Sequence, residues 1–132
     1  MRSCCADFIG PAAVALIAIV EAMHASGKVV AADCHGPVGL IECKKADGAP
    51  LVAGLKVTGF SDAEEAAVGA IEWVASSSKS MEQAFKAAGG VYSAGENWAP
   101  NVLVDGNLIT AQNPASAVAC AQATLKALGA SA

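Results

Sequence analysis

The chain has 132 residues, enough for one domain with a sizeable buried core. It is 55% hydrophobic but only 5% aromatic, which excludes a disordered segment and predicts a core of small aliphatic residues. The formal net charge is −4 with no cluster of lysine or arginine, so nucleic acid is a poor candidate for a partner.

In chain order, Phe8 to Met23 is an apolar stretch preceded by Arg2, similar to the hydrophobic region of a signal peptide, and Ala22-Met-His-Ala25 has the look of a cleavage site. The stretch is too short for a membrane span, and Glu21 and His24 interrupt it. A strand follows at once, so the preferred reading is a buried helix from Ala12 to Ala25, with Pro11 in its first turn and Gly27 ending it. Lys28 to Asp33 holds the continuous apolar run of a buried parallel strand. Val38 to Lys45 reads as a short helix after the Gly36-Pro37 turn, and Leu55 to Phe60 as a second strand. Ser61 or Asp62 caps the next helix, which runs to about Val74, with Glu64 and Glu65 as ordinary first-turn carboxylates that suit the helix dipole. Ser76 to Ser80 is polar punctuation, and Met81 to Ala88 is a helix closed by Gly89-Gly90. Val91 to Ala94 is a short strand, and Gly95 to Pro100 is a loop in which Trp98 reads as a packed anchor. Val102 to Thr110 reads as two strands joined at Asp105-Gly106, a type I′ hairpin signal. Asn113 caps a last helix that has Pro114 at its first position and ends near Leu128.

This alternation implies an α/β fold with a mostly parallel sheet covered on both faces. Cys4, Cys5, Cys34, Cys43 and Cys120 form an odd set without regular spacing. A disulfide framework is therefore not expected, and a reducing, cytoplasmic setting is. Without a Cys-x-x-Cys or His-x-x-x-His pattern, no metal site and no cofactor are expected.

The chemistry concentrates at Cys34. It follows a β-branched run, opens a glycine-proline turn, and has small residues two positions away on each side, Ala32 and Gly36. This is the pattern of a nucleophile elbow with cysteine in place of serine. Amides of the following helical turn would favour the thiolate and make the thiol reactive near neutral pH. His35 is the candidate base, and amides near Gly36 are the candidate oxyanion site.

Three stretches, Gly27 to Val38, Lys56 to Glu65 and Val102 to Ser116, together resemble the ThiJ/PfpI superfamily, whose folds are similar to class I glutamine amidotransferases. The resemblance covers residues 12 to 128 as a partial domain, with residues 1–11 unmatched and residues 129–132 as a tail. It implies a flavodoxin-like three-layer sandwich that here lacks the usual N-terminal strands. The branch it looks most like is chaperone-like with glyoxalase III activity, which converts methylglyoxal to D-lactate without metal or glutathione. The resemblance implies Cys34 as nucleophile, His35 as its partner and Glu65 as the acidic member. Relatives usually carry an apolar residue where this chain has Asp33, whose carboxylate near the sulfur would raise the cysteine pKa.

The expected function is therefore a cofactor-independent conversion of a small 2-oxoaldehyde, weakened or lost if part of the site is missing. The expected setting is a homodimer with no membrane and no nucleic acid. The alternative is a non-catalytic stress-response chaperone or a redox sensor at Cys34.

Overall fold

The computed structural model describes residues 11–70 and 79–130. The expectations for Cys4, Cys5 and Ser76 to Ser78, and for residues 71–74 of the helix read as running to Val74, lie outside them. Helix α1 spans Pro11–Ala25, and Gly27 leaves it at φ 73°. Strand β1 spans Val30–Asp33, β2 Lys56–Val57, β3 Val91–Tyr92, β4 Val102–Asp105 and β5 Leu108–Ala111. Helices α2 (Asp62–Ala67), α3 (Met81–Ala87) and α4 (Ala117–Ala127) complete the α/β order, with short 3₁₀ segments at Gly36–Leu40 and Pro114–Ser116.

β5 is the organising strand. It pairs parallel with β1 and antiparallel with β4, giving the order β1-β5-β4, while β2 and β3 form a separate parallel pair. All four residues of β5 are buried. Side chains alternate between the faces of a strand, so β5 supplies two packing layers at once. Leu108 joins the larger core with Val30, Leu51, Val57, Phe60 and Phe85. Ile109 and Ala111 pack with Cys120 of α4.

Several local expectations are corrected. Val38 to Lys45 does not form an α-helix. The chain makes a 3₁₀ turn over Gly36–Leu40 and then a loop closed by a bridge between Lys44 and Pro50. Gly36, Pro37 and Gly39 make this a weak helix former, and three-residue hydrogen bonds suffice for so short a turn. The second strand is regular only at Lys56–Val57, because beyond it Thr58 donates its N–H to the Thr110 hydroxyl at 2.9 Å and not to a backbone carbonyl. The helix after Ser61 stops at Ala67, where Gly69 turns away at φ 71°. In the hairpin, Asp105 pairs with Leu108, so the loop residues are Gly106 and Asn107. Only Gly106 has positive φ, the pattern of a type II′ turn and not of type I′.

The buried-helix reading of α1 also needs correction. Ala13 is buried, but Val14 is 67% exposed and Ile19 57%. One face of α1 packs against the 3₁₀ turn and β1, and no described residue covers the other. The β1 run is likewise only half enclosed, with Val30 buried and Ala31 exposed, because β5 is its one neighbour among the described strands.

Candidate active site

The elbow forms where β1 ends. Cys34 adopts φ 59°, and among the described residues only it and Trp98 are non-glycine residues with positive φ. A side chain in this left-handed region is strained and persists where the surroundings fix it. Two backbone bonds do so here: the Cys34 N–H donates to Ala111 O at 3.1 Å, and its carbonyl accepts from Phe60 N–H at 2.9 Å. The small residues on either side do meet, since a Cβ built on Gly36 would sit 3.6 Å from the Ala32 Cβ.

Three side chains line up at this elbow. Cys34 Sγ lies 3.3 Å from His35 Nδ1, and His35 Nε2 lies 2.8 Å from Glu65 Oε1. Glu65 is nearly buried and His35 is partly open to solvent. The carboxylate selects the tautomer with hydrogen on Nε2, which leaves Nδ1 free to accept the thiol proton. The structure therefore brings Cys34, His35 and Glu65 into one row, with Gly36 opening the 3₁₀ turn just beyond.

The electrostatics differ from the sequence expectation. Cys34 is held above its ordinary pKa and not below it. Burial is the main cause. The His35 backbone N–H opposes it, and the Asp33, Glu64 and Glu65 carboxylates push further upward. The following segment is a short 3₁₀ turn and not an α-helix, so little dipole is available to offset three nearby acids. The protonated thiol is therefore favoured at Cys34, and His35 Nδ1 at 3.3 Å is placed to accept its proton. Asp33 itself is raised by burial, partly offset by the Cys34 backbone amide. Its Oδ1 is buried without a hydrogen-bond partner beside a groove lined by Ala31, Cys120 and Leu125.

The residue that sequence reasoning missed is Glu64. It is fully buried. Its Oε2 accepts from the Ser61 N–H and hydroxyl, both at 3.1 Å, and its Oε1 from Trp98 N–H at 3.0 Å and Asn113 Nδ2 at 2.8 Å. Burial alone would raise its pKa, but the bonds from Trp98, Asn113 and Ser61 outweigh this and hold it below the usual carboxylate range. The signal was present in Ser61-Asp-Ala-Glu64, the spacing of a capping box. Trp98, read as a packed loop anchor, is packed on one side and 46% exposed. Its indole meets Phe60 edge-on with centroids 5.8 Å apart, and Phe60 lies 4.5 Å from the His35 ring. Among the described residues no cluster of three or more acidic, histidine or cysteine side chains is placed to hold a metal ion.

Residues 11–127 match the model of the DJ-1/PfpI family. The chain is 37% identical over 115 residues to the glutathione-independent glyoxalase HSP31 of Saccharomyces cerevisiae, covering 83% of this chain and 48% of the relative. It is 33% identical over 114 residues to glyoxalase 3 of Candida albicans, again covering 83% of this chain and 48% of the relative. The crystal structure of glyoxalase III from Candida albicans superposes with a TM-score of 0.79 at 31% identity, over 84% of this chain and 48% of that one. The Rapid Encystment Protein of Francisella tularensis gives the same TM-score at 35% identity, over 86% of this chain and 49% of that one. The chain thus spans about half the length of the curated relatives it matches.

Proposed function

The chain belongs to the DJ-1/PfpI family, and from that premise we propose that its Cys34–His35–Glu65 row carries a glutathione-independent glyoxalase reaction, methylglyoxal to D-lactate. The observation behind this reading is the continuous thiol–imidazole–carboxylate contact at a strained elbow, in a chain similar to proteins named as glyoxalases.

The chemistry follows from the geometry. His35 Nδ1 takes the thiol proton, and the sulfur adds to the aldehyde carbon to give a hemithioacetal. A base then removes the hydrogen on that carbon, and the electron pair passes through an enediol to the neighbouring carbonyl carbon, which is protonated. The aldehyde carbon is thereby oxidised to a thioester while the ketone is reduced to an alcohol. Water cleaves the C–S bond, releasing the 2-hydroxy acid and restoring the thiol. Glu65 orients His35 and stabilises its charged form. The Gly36 N–H, at the start of the 3₁₀ turn, is the donor assigned to the developing oxyanion. The raised Cys34 pKa fits a thiol that needs His35 to ionise, so the reaction depends on the pair and not on a free thiolate.

The test is D-lactate formation from methylglyoxal by wild type and Cys34→Ala. Turnover that disappears in the variant supports the reading, and wild-type protein without turnover sinks it.

A second reading, a holding chaperone, is favoured by the exposed Val14 and Ile19 on α1 and Val118 and Leu128 at α4. Suppression of client aggregation that survives Cys34→Ala, in protein that does not turn over methylglyoxal, would favour it over the enzyme.

A further inference from the structure

We propose that Glu64 is a positioning residue for the site, its buried carboxylate tying the Trp98 loop to the first turn of α2 and so bracing His35 from two sides. The inference rests on the reading that Cys34, His35 and Glu65 act together.

One side of the brace is α2. Through Ser61, Glu64 fixes where the helix begins and therefore its rotational phase. That phase turns Glu64 inward and delivers the next residue, Glu65, to His35 Nε2 at 2.8 Å. The other side is aromatic. Glu64 accepts the Trp98 N–H while that residue sits at φ 66°. Nothing steric favours tryptophan at a backbone conformation that suits glycine, so a function for the indole is the economical explanation. The indole lies against Phe60, and Phe60 lies against His35. Asn113 supplies a third attachment, from the turn after β5.

The chemical identity of Glu64 is fixed by the count of donors. Each of its two oxygens accepts from two donors. A carboxylate has the lone pairs for this, whereas glutamine places an NH₂ against donors at one end. Glutamine can complete a capping box, so the cap alone does not require an acid.

The experiment is Glu64→Gln in a Trp73→Phe background, where Trp98 is the one remaining tryptophan. Three quantities are read: Trp98 emission with acrylamide quenching, methylglyoxal kcat and KM, and the rate of Cys34 carbamidomethylation by peptide mass spectrometry. We expect a folded protein by circular dichroism, a red-shifted and more quenchable Trp98, and kcat lowered about tenfold or more with KM changed less than about twofold. The second variant, Trp98→Gly, keeps the amide that Glu64 binds and relieves the backbone. It should hold or raise Tm while showing the same loss in kcat. A folded Glu64→Gln protein with unchanged emission and kcat overturns the proposal, as does Trp98→Gly at wild-type kcat. If Glu64→Gln does not fold, Trp98→Gly decides alone. If wild type turns over no methylglyoxal, the functional reading fails but the brace is still tested. Altered carbamidomethylation rates in the variants then support it, and unchanged rates overturn it.

Discussion

The two flanks of β5 are built in opposite ways. On the side of β2, α2 and the Trp98 loop, most buried polar groups are tied to one another, Asp62 Oδ1 and Gln112 Nε2 being the exceptions: Thr58 to Thr110, Asn101 to Gln112, Asn113 to Ser116, and Glu64 to its four donors. On the side of β1, α1 and α4, apolar residues face solvent and the Asp33 Oδ1 has no partner. The Cys34 row sits on the boundary. Its backbone is held by Ala111 and Phe60, and its acid comes from α2. The comparison teaches that precision at this site comes from the hydrogen-bonded flank, while the open flank contributes little to positioning and, through Asp33, adds one of the three carboxylates that reinforce the effect of burial on Cys34.

Substitutions can break that contrast, and the largest effect belongs at the boundary. Cys34→Ala should abolish D-lactate formation, measured against a no-enzyme control, because no other group supplies the sulfur. Glu65→Gln should lower kcat on the order of 10²-fold while leaving KM nearly unchanged, since it removes the charge that supports His35 in the transition state. Steady-state kinetics on methylglyoxal would show an equal loss in kcat and kcat/KM.

On the hydrogen-bonded flank, Asn113→Ala removes donors to Glu64 and Ala99 and the acceptor for Ser116. Chemical denaturation should show a loss of roughly 2–4 kcal/mol, the range for leaving buried polar groups unpaired. A loss near zero would erase the distinction between the flanks.

Asp33→Val should act in the opposite direction and raise Tm. The sign follows from burial. The folded state lifts the Asp33 pKa above its ordinary 3.8, so the stability associated with its protonated form is present at low pH and lost as pH rises through the raised value. The gain from Asp33→Val should therefore be largest near neutral pH and shrink below 3.8, as melting curves across pH would reveal. The same variant should lower the pH midpoint of Cys34 alkylation, because one of the acids that disfavour the thiolate is gone. The smallest effect is expected at Val118→Ser, which should change stability by less than about 0.5 kcal/mol because the side chain is already 70% exposed.

Much of this molecule was legible in the chain itself. Local rules located the elbow at Cys34, a helix cap at Ser61 or Asp62 that the structure assigns to Ser61, the Asn113-Pro114 start and the hairpin, because each depends on a few adjacent residues. Resemblance supplied Glu65 as the acid, a pairing across thirty residues that no local pattern encodes. Helix ends were less legible: Gly69 stopped α2 early, and the glycines after Cys34 gave a 3₁₀ turn. Glu64 and Glu65 show the limit most clearly. They are identical neighbours in the sequence, yet one becomes a saturated buried anchor and the other faces the histidine.

Sequence alone determined that Cys34 ends a strand and enters a turn beside His35, because dihedral preference and residue size are local properties. Only the tertiary structure decided that Glu64 becomes a buried anchor, how Trp98 is held, and that Cys34 is harder to ionise than its elbow suggests. Each of these follows from burial and from hydrogen bonds between distant segments, whose energies depend on what surrounds a group and not on what precedes it in the chain.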